Sequence, residues 1–153
     1  MENKVLKKLN FKAHKNCCIL NAPDRFEMHI HDLKALSNVD LEIKNDKNYD
    51  FILLFVKTAF ELEKRFQSLI GHFEGDVLLW VAYIKKSSKK YQSDIHRDAP
   101  VWQVLGNEGF EGVRQVAIDE DWSALRFRHV DYIKTMKRNP KLAMSAKGKK
   151  RTT

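Results

Sequence analysis

The densest chemistry in this chain is a six-residue run, Lys85-Lys86-Ser87-Ser88-Lys89-Lys90, which sets four ammonium groups and two hydroxyls on one short segment. Such a set can hold a phosphate or another anion, because charge-assisted hydrogen bonds are short and strong. The run also reads as a solvated loop whose charge balances Asp94, Asp98 and Glu108. Ser93 and Asp94 follow it and suit either a ligand contact or the cap of a turn. Further on, Asp119-Glu120-Asp121 precedes Trp122 and Ser123, with Arg126 and Arg128 beyond. These acids fit a catalytic group or ion pairs across a hairpin.

Several chemistries are excluded by what is missing. Dinucleotide and methyl-transfer folds need glycines after the first strand so that the backbone can approach the cofactor. Here Leu20-Asn21-Ala22-Pro23-Asp24 occupies that place without a glycine. There is no Walker loop, no Gly-x-Ser-x-Gly elbow and no His-Glu-x-x-His. His29 and His31, two apart on a predicted helix, point to different faces and make a poor metal pair. Cys17 and Cys18 are the only cysteines, and neighbours in sequence rarely meet disulfide geometry. They read as small apolar residues of a strand. No catalytic residue, metal site or cofactor is expected.

The elements that must position these groups alternate along the chain. Val5, Leu6 and Leu9 suggest a short helix, and Asn16–Asn21 a buried strand ended by Pro23. Asp24 opens a helix to about Leu36, and Val39–Lys44 alternates like a half-exposed strand. Asn45–Tyr49 reads as a polar turn before the apolar strand Phe51–Val56. Thr58 and Glu61 have capping-box spacing, and the helix they start runs to a stop at Gly75. Asp76–Tyr83 is a second apolar strand, and Pro100 opens a helix carrying Trp102 and Leu105. Val113–Ile118 and Ser123–Val130 close the series as a hairpin, antiparallel because three residues cannot make a parallel crossover. The expected fold is α/β, a small Rossmann-like three-layer sandwich with a mostly parallel sheet of five to six strands ending in an antiparallel hairpin. Its element order resembles a shortened class I methyltransferase.

In such sheets ligands bind at the carboxyl ends of the parallel strands. That rule gathers Asn21, Lys85, Lys86, Ser87, Ser88, Ser93, Asp94, Trp122, Ser123 and Arg126 at one rim as candidate ligand-binding residues.

Charge divides the 153 residues unevenly. Net charge is +8, yet all 20 acids lie at or before Asp131, where 20 lysines and arginines balance them. Residues 1–131 are therefore expected to form one neutral α/β domain. Residues 132–153 carry the whole excess and read as a basic, disordered tail. Lys147, Lys149, Lys150 and Arg151 are its candidates for weak nucleic-acid contact. No apolar run approaches the roughly 18 residues that cross a bilayer, so no membrane association and a cytoplasmic location are expected.

Leu20-Asn21-Ala22-Pro23, Trp80-Val81-Ala82-Tyr83, Lys85-Lys86-Ser87-Ser88, Ser93-Asp94 and above all Asp119-Glu120-Asp121-Trp122-Ser123-Ala124-Leu125-Arg126-Phe127 carry a family resemblance. Over residues 3–130 the chain resembles a bacterial family of small proteins known only as a domain of unknown function. It departs from that pattern at Ile84, where proline commonly precedes the two lysines. The resemblance implies a single domain in the bacterial cytosol, and it carries over no activity, cofactor or catalytic residue.

Three readings follow. The first is a non-enzymatic module that takes an anionic small ligand or a protein partner at the strand-end rim. The second is a degenerate methyltransferase-like enzyme. The third is non-specific nucleic-acid binding through the tail, of the salt-sensitive kind that phosphate contacts produce.

Overall fold

The computed structural model describes residues 2–96, 98–134 and 143–152. Helix α1 (Lys4–Lys8) starts where the Asn3 side chain accepts hydrogen bonds from the backbone N–H groups of Val5 and Leu6. Strand β1 (Asn16–Leu20) leads through a single 3₁₀ turn at Asp24–Phe26 into α2 (Glu27–Lys34) and the short β2 (Asn38–Asp40). Then come β3 (Tyr49–Phe55), α3 (Ala59–Leu69), β4 (Phe73–Ile84) and α4 (Gln103–Gly106), the last preceded by a turn beginning at Pro100. The hairpin of β5 (Phe110–Ala117) and β6 (Trp122–His129) completes the sheet, and α5 (Ala146–Thr152) follows.

The sheet has six strands in the order β2-β1-β3-β4-β6-β5. The pairs β1–β2, β1–β3 and β3–β4 are parallel, whereas β6 runs antiparallel to both neighbours. This is the expected α/β sandwich with one reversed strand.

Alternation along each strand builds two cores. Phe51, Leu53 and Phe55 join Trp80 and Trp122 on the face covered by Leu6, Leu9, Ile30 and Leu33 of the first two helices and the residue after α1. Ile52, Leu54 and Val56 join Leu79, Val81 and Phe127 on the face covered by Leu62, Phe66 and Leu69 of α3 and by Trp102 and Leu105. Each such side chain contributes about 1.5–3 kcal/mol when fully withdrawn from water.

Several boundaries differ from the sequence reading, among them the start of β5, at Phe110 and not Val113. Helix α3 stops at Leu69, not Gly75: Ile70 is already extended and Gly71 takes φ +93°, so Phe73 is free to begin β4 beside Tyr49. Tyr49 belongs to β3 and is fully buried, because its hydroxyl donates to Asp40 at 2.7 Å and accepts from the Lys44 N–H at 3.0 Å. Those bonds fold the segment after Asp40 back and cut β2 to three residues.

The tail requires a larger correction. Ala146–Thr152 is helical, with Ala143, Ser145 and Gly148 buried. The reason is a long-range contact that no local pattern announces. Glu111, fully buried at the start of β5, accepts from the N–H groups of Met144 (2.8 Å) and Ser145 (2.6 Å) and from the Ser145 hydroxyl (2.5 Å). Residues 135–142 of the expected disordered tail lie outside the described residues.

Candidate functional site

The chain turns back on itself between β1 and β3, since β1 continues to β2 on one side and β3 to β4 on the other. The switch point therefore lies at the carboxyl ends of β1 and β3, and β4, parallel to β3, ends at the same rim. Beside them lies a cleft of about 970 Å³. It is lined by the Lys85–Ser88 segment, by the nearly inaccessible Tyr83 and Ile95, and by the carboxylates Asp94 and Asp98. A second groove of about 710 Å³ lies along the other side of the same loop, bounded by Arg25, Lys89, Lys90, Glu120 and Asp121 and sharing Lys85 and Ser87 with the first.

One carboxylate holds this rim together. Asp121 accepts from the Ser88 hydroxyl at 2.8 Å, and its side chain is bonded by the Arg25 guanidinium. The backbone carbonyl of Asp121 also accepts from the Lys85 N–H at 2.7 Å. The Ser88 bond and the Arg25 cation hold the Asp121 carboxyl below the usual carboxylate range. Arg25 is tied to Glu120 at 2.8 Å as well, and these two acids raise its pKa in turn, Glu120 first. The acids of the hairpin turn are thus ion-pair partners, but of Arg25 from the turn after β1 and not, as expected, of Arg126 or Arg128 across the hairpin, since Arg128 pairs with Asp76.

Seven of the ten expected ligand-binding residues line the large cleft: Lys85, Lys86, Ser87, Ser88, Ser93, Asp94 and Ser123. Ser123 arrives there because β6 pairs it with Tyr83. Three of the seven are committed to the fold, Ser88 through its bond to Asp121 and two more at the start of α3. The Ser93 hydroxyl donates to the Lys57 carbonyl at 2.6 Å, and Asp94 accepts from the Ala59 N–H at 2.8 Å. Together with Thr58, whose hydroxyl accepts from the Glu61 N–H, Asp94 caps the start of α3. The donors that an anion would seek there already face a carboxylate.

Three expected residues are not in this cleft. Asn21 is exposed just beyond β1, in a left-handed turn with φ +60°. Trp122 is 2% exposed and packs edge-on against Phe55 at 5.0 Å, so it serves the core and not a ligand. Arg126 lies opposite Trp80 in the middle of β6, on the α2 side of the sheet. Burial first, and Arg128 second, lower its pKa. The spacing explains this error: Arg126 is four residues inside the strand, about 13 Å from the rim at strand rise.

Residues outside the expected set also meet here. Gln115 donates to the Tyr83 hydroxyl at 2.6 Å within the large cleft, and His96 joins its wall. The Tyr91 ring lies under two ammonium groups, Lys57 at 4.6 Å and Lys90 at 5.2 Å from its centroid. Tyr83 was legible in principle from strand alternation. Tyr91 and His96 sit on an irregular loop with no period to read.

The four tail candidates divide. Lys147 pairs with Asp131 at 2.7 Å, and Arg151 donates to the carbonyls of Val130 (3.0 Å) and Lys134 (3.1 Å). Lys149 and Lys150 lie on the exposed part of α5.

No protein-family model matches this sequence, and no curated protein does. Solved structures do resemble it. A SAM-dependent methyltransferase from Aquifex aeolicus aligns over 83% of this chain and 88% of its own, at 13% identity and a TM-score of 0.54. The fold is methyltransferase-like. The pyocyanin biosynthetic protein PhzM aligns with a TM-score of 0.54 at 11% identity over 83% of this chain, which spans only 53% of PhzM. Magnesium protoporphyrin IX methyltransferase from Synechocystis, solved with bound SAM, gives 0.51 at 12% identity over 82% of this chain and 74% of its own.

That fold implies S-adenosylmethionine, and the residues after β1 do not fit it. Every position from Asn21 to Arg25 carries a side chain, Pro23 has no N–H to offer, and Arg25 is spent on Glu120 and Asp121. Asn21 supplies the left-handed turn that glycine would allow, but its Cβ remains in the path of a close backbone approach. Among the described residues, no helix is long and apolar enough to cross a membrane.

Proposed function

We propose that this chain is a degenerate methyltransferase-like protein that keeps the sheet of that class and binds an anionic small molecule in the cleft beyond β4. Likeness in fold to SAM-dependent methyltransferases supports this descent over an unrelated binding module. The observation that carries the ligand class is the 970 Å³ cleft, which Lys85 and Lys86 line together with Ser87, Ser88 and Tyr83. Clefts of this size take small ligands, and its lining of lysines, serines, Gln92, His96 and Gln115 offers polar contacts to one. The cytosol and the bacterial family of small domains named above fit the same reading.

Thermal-shift screening tests it. Phosphorylated metabolites at millimolar concentration raise the melting temperature of the full chain, and Lys85→Ala with Lys86→Ala abolishes the rise. S-adenosylmethionine gives neither a shift nor heat in a calorimeter. A shift with S-adenosylmethionine that survives the double substitution would restore an active methyl-transfer site at β1 and overturn the cleft reading.

Lys149 and Lys150 on the exposed side of α5 support a second, weaker reading, salt-sensitive contact with nucleic acid. Truncation before Ala143 should abolish any such binding; tight binding that persists rejects the tail as its cause.

A further inference from the structure

Strand β5 ends the sheet and pairs only with β6. Its outer edge is covered unevenly. At one end the tail lies over it: Glu111 holds Met144 and Ser145, and Met144 Sδ accepts from the Gly112 N–H at 3.3 Å. At the other end the Lys8 ammonium donates to the Ala117 carbonyl at 3.2 Å. Between them, residues 113–116 make no backbone hydrogen bond to any described residue beyond their ladder with β6. Val113, Arg114 and Gln115 are exposed. An open strand edge of this kind is a template for a further strand.

The same stretch carries an unbalanced charge. Arg114 stands directly opposite Arg126 across the β5–β6 ladder, and like charges so placed weaken a strand pair. Among the described residues, neither has a carboxylate within ion-pair reach. Asp76, whose charge favours Arg126, is taken by Arg128, which donates to it from Nη2 at 2.6 Å. Glu111 is turned to the tail. Nor is Arg126 a solvated surface cation, since it is half-buried and its Nε is enclosed without a hydrogen-bond partner.

This pattern selects among strands that could pair there. Arg114 and Val116 are two apart and share a face, on which Val116 packs against the core beside Trp122. A second copy of β5 brings another Arg114 to an edge already rich in cations. A strand with an acidic residue opposite Arg114 neutralises it and relieves its repulsion of Arg126.

We propose that residues 113–117 of β5 take an extended acidic segment of a partner protein as a further strand, with a glutamate or aspartate opposite Arg114 and an apolar residue opposite Val116. Backbone hydrogen bonds along the open edge supply affinity, and the two side-chain positions supply selectivity. The surface goes beyond the anion cleft and involves neither Lys85 nor Lys86.

NMR titration of the full chain with short peptides tests it. The main probe is a blocked pentapeptide of valine, threonine, glutamate, threonine and valine, which offers an apolar neighbour in either strand direction. At millimolar concentration it shifts the amide resonances of residues 113–117 and slows their exchange. The same peptide with glutamine for glutamate binds about tenfold more weakly, the effect of one charge-assisted contact. With lysine there it gives no shift. Arg114→Glu reverses the preference, taking the lysine peptide and rejecting the glutamate one. Arg114 is exposed, so this variant melts no lower than the wild type. Lys85→Ala with Lys86→Ala leaves peptide binding unchanged, whatever it does to small anions.

Equal binding of the glutamate, glutamine and lysine peptides overturns the proposal, as does an undiminished response to the glutamate peptide in Arg114→Glu. Shifts at residues 113–117 that follow protein concentration without peptide assign the edge to a second copy and overturn it too. No shift with any peptide overturns the added strand and leaves the anion cleft standing.

Discussion

The Ser88 hydroxyl donates to Asp121 Oδ1 at 2.8 Å, joining the loop after β4 to the turn between β5 and β6 across 33 residues of sequence. Arg25, from the turn after β1, bonds the same carboxylate. Three connections of the sheet thus meet at one side chain. Asp121→Ala should lower the melting temperature and free the Lys85–Lys90 segment, read as faster trypsin cleavage there under native conditions. Asp121→Asn, which can still accept from Ser88, should restore part of the protection. Cleavage as slow in Asp121→Ala as in the wild type would remove Asp121 from this role.

The same bond gives a pH dependence. The Ser88 bond and the Arg25 cation hold the Asp121 carboxyl below the usual carboxylate range, so its contribution is complete above that range and is lost as pH falls through the native pKa. Asp131, held low first by Lys147, behaves alike. In Asp40, the hydrogen bonds of Lys47 and Tyr49 outweigh a burial effect of opposite sign. Stability followed by tryptophan fluorescence should therefore fall below about pH 4, the range in which carboxylates protonate. Asp121→Asn should flatten that fall.

Tail docking depends on close approach at Gly148, where an added Cβ would meet Glu111 Oε2 and the Ser145 hydroxyl oxygen. Gly148→Ala should undock α5, seen as faster amide exchange over residues 143–152. Glu111→Ala should do the same and cost about 1–3 kcal/mol, because the N–H groups of Met144 and Ser145 lose their acceptor. At about 2–4 °C per kcal/mol for a chain of this size, the loss is measurable in a melt.

Trp80 is fully buried, and its indole N–H donates to the Leu9 carbonyl at 2.8 Å. Trp80→Phe keeps most of the apolar volume and removes the donor. It should destabilise by about 1–3 kcal/mol in denaturant unfolding, the cost of a buried acceptor left alone. An unchanged midpoint would mean that water reaches Leu9.

Burial pushes the Cys17 thiol up to about 11 and Cys18 to about 12. The thiolate is the reactive form, so both should resist alkylation at pH 8 in the native protein and react at once in denaturant. Native labelling within minutes, read by mass spectrometry, would place one of them outside the core.

Much of this molecule was legible before folding, for local reasons. Thr58 and Glu61 announced the start of α3 because a capping box is satisfied within four residues. The continuous apolar runs announced β3 and β4, and the short turn before Trp122 required a reversed strand. Strand-end logic then brought Lys85, Lys86, Ser87, Ser88 and Ser123 to one cleft. Only the tertiary structure could decide what depends on distant partners. Asp94 became a helix cap because Ala59 stands beside it, and Trp122 entered the core because Phe55 waits there. Arg126 fell on the other side of the sheet because side chains alternate faces. The cationic tail folded because Glu111, at the start of β5, is buried against it. A sequence shows charge and period; which carboxylate reaches which N–H is set by chain crossings that bring together residues tens of positions apart.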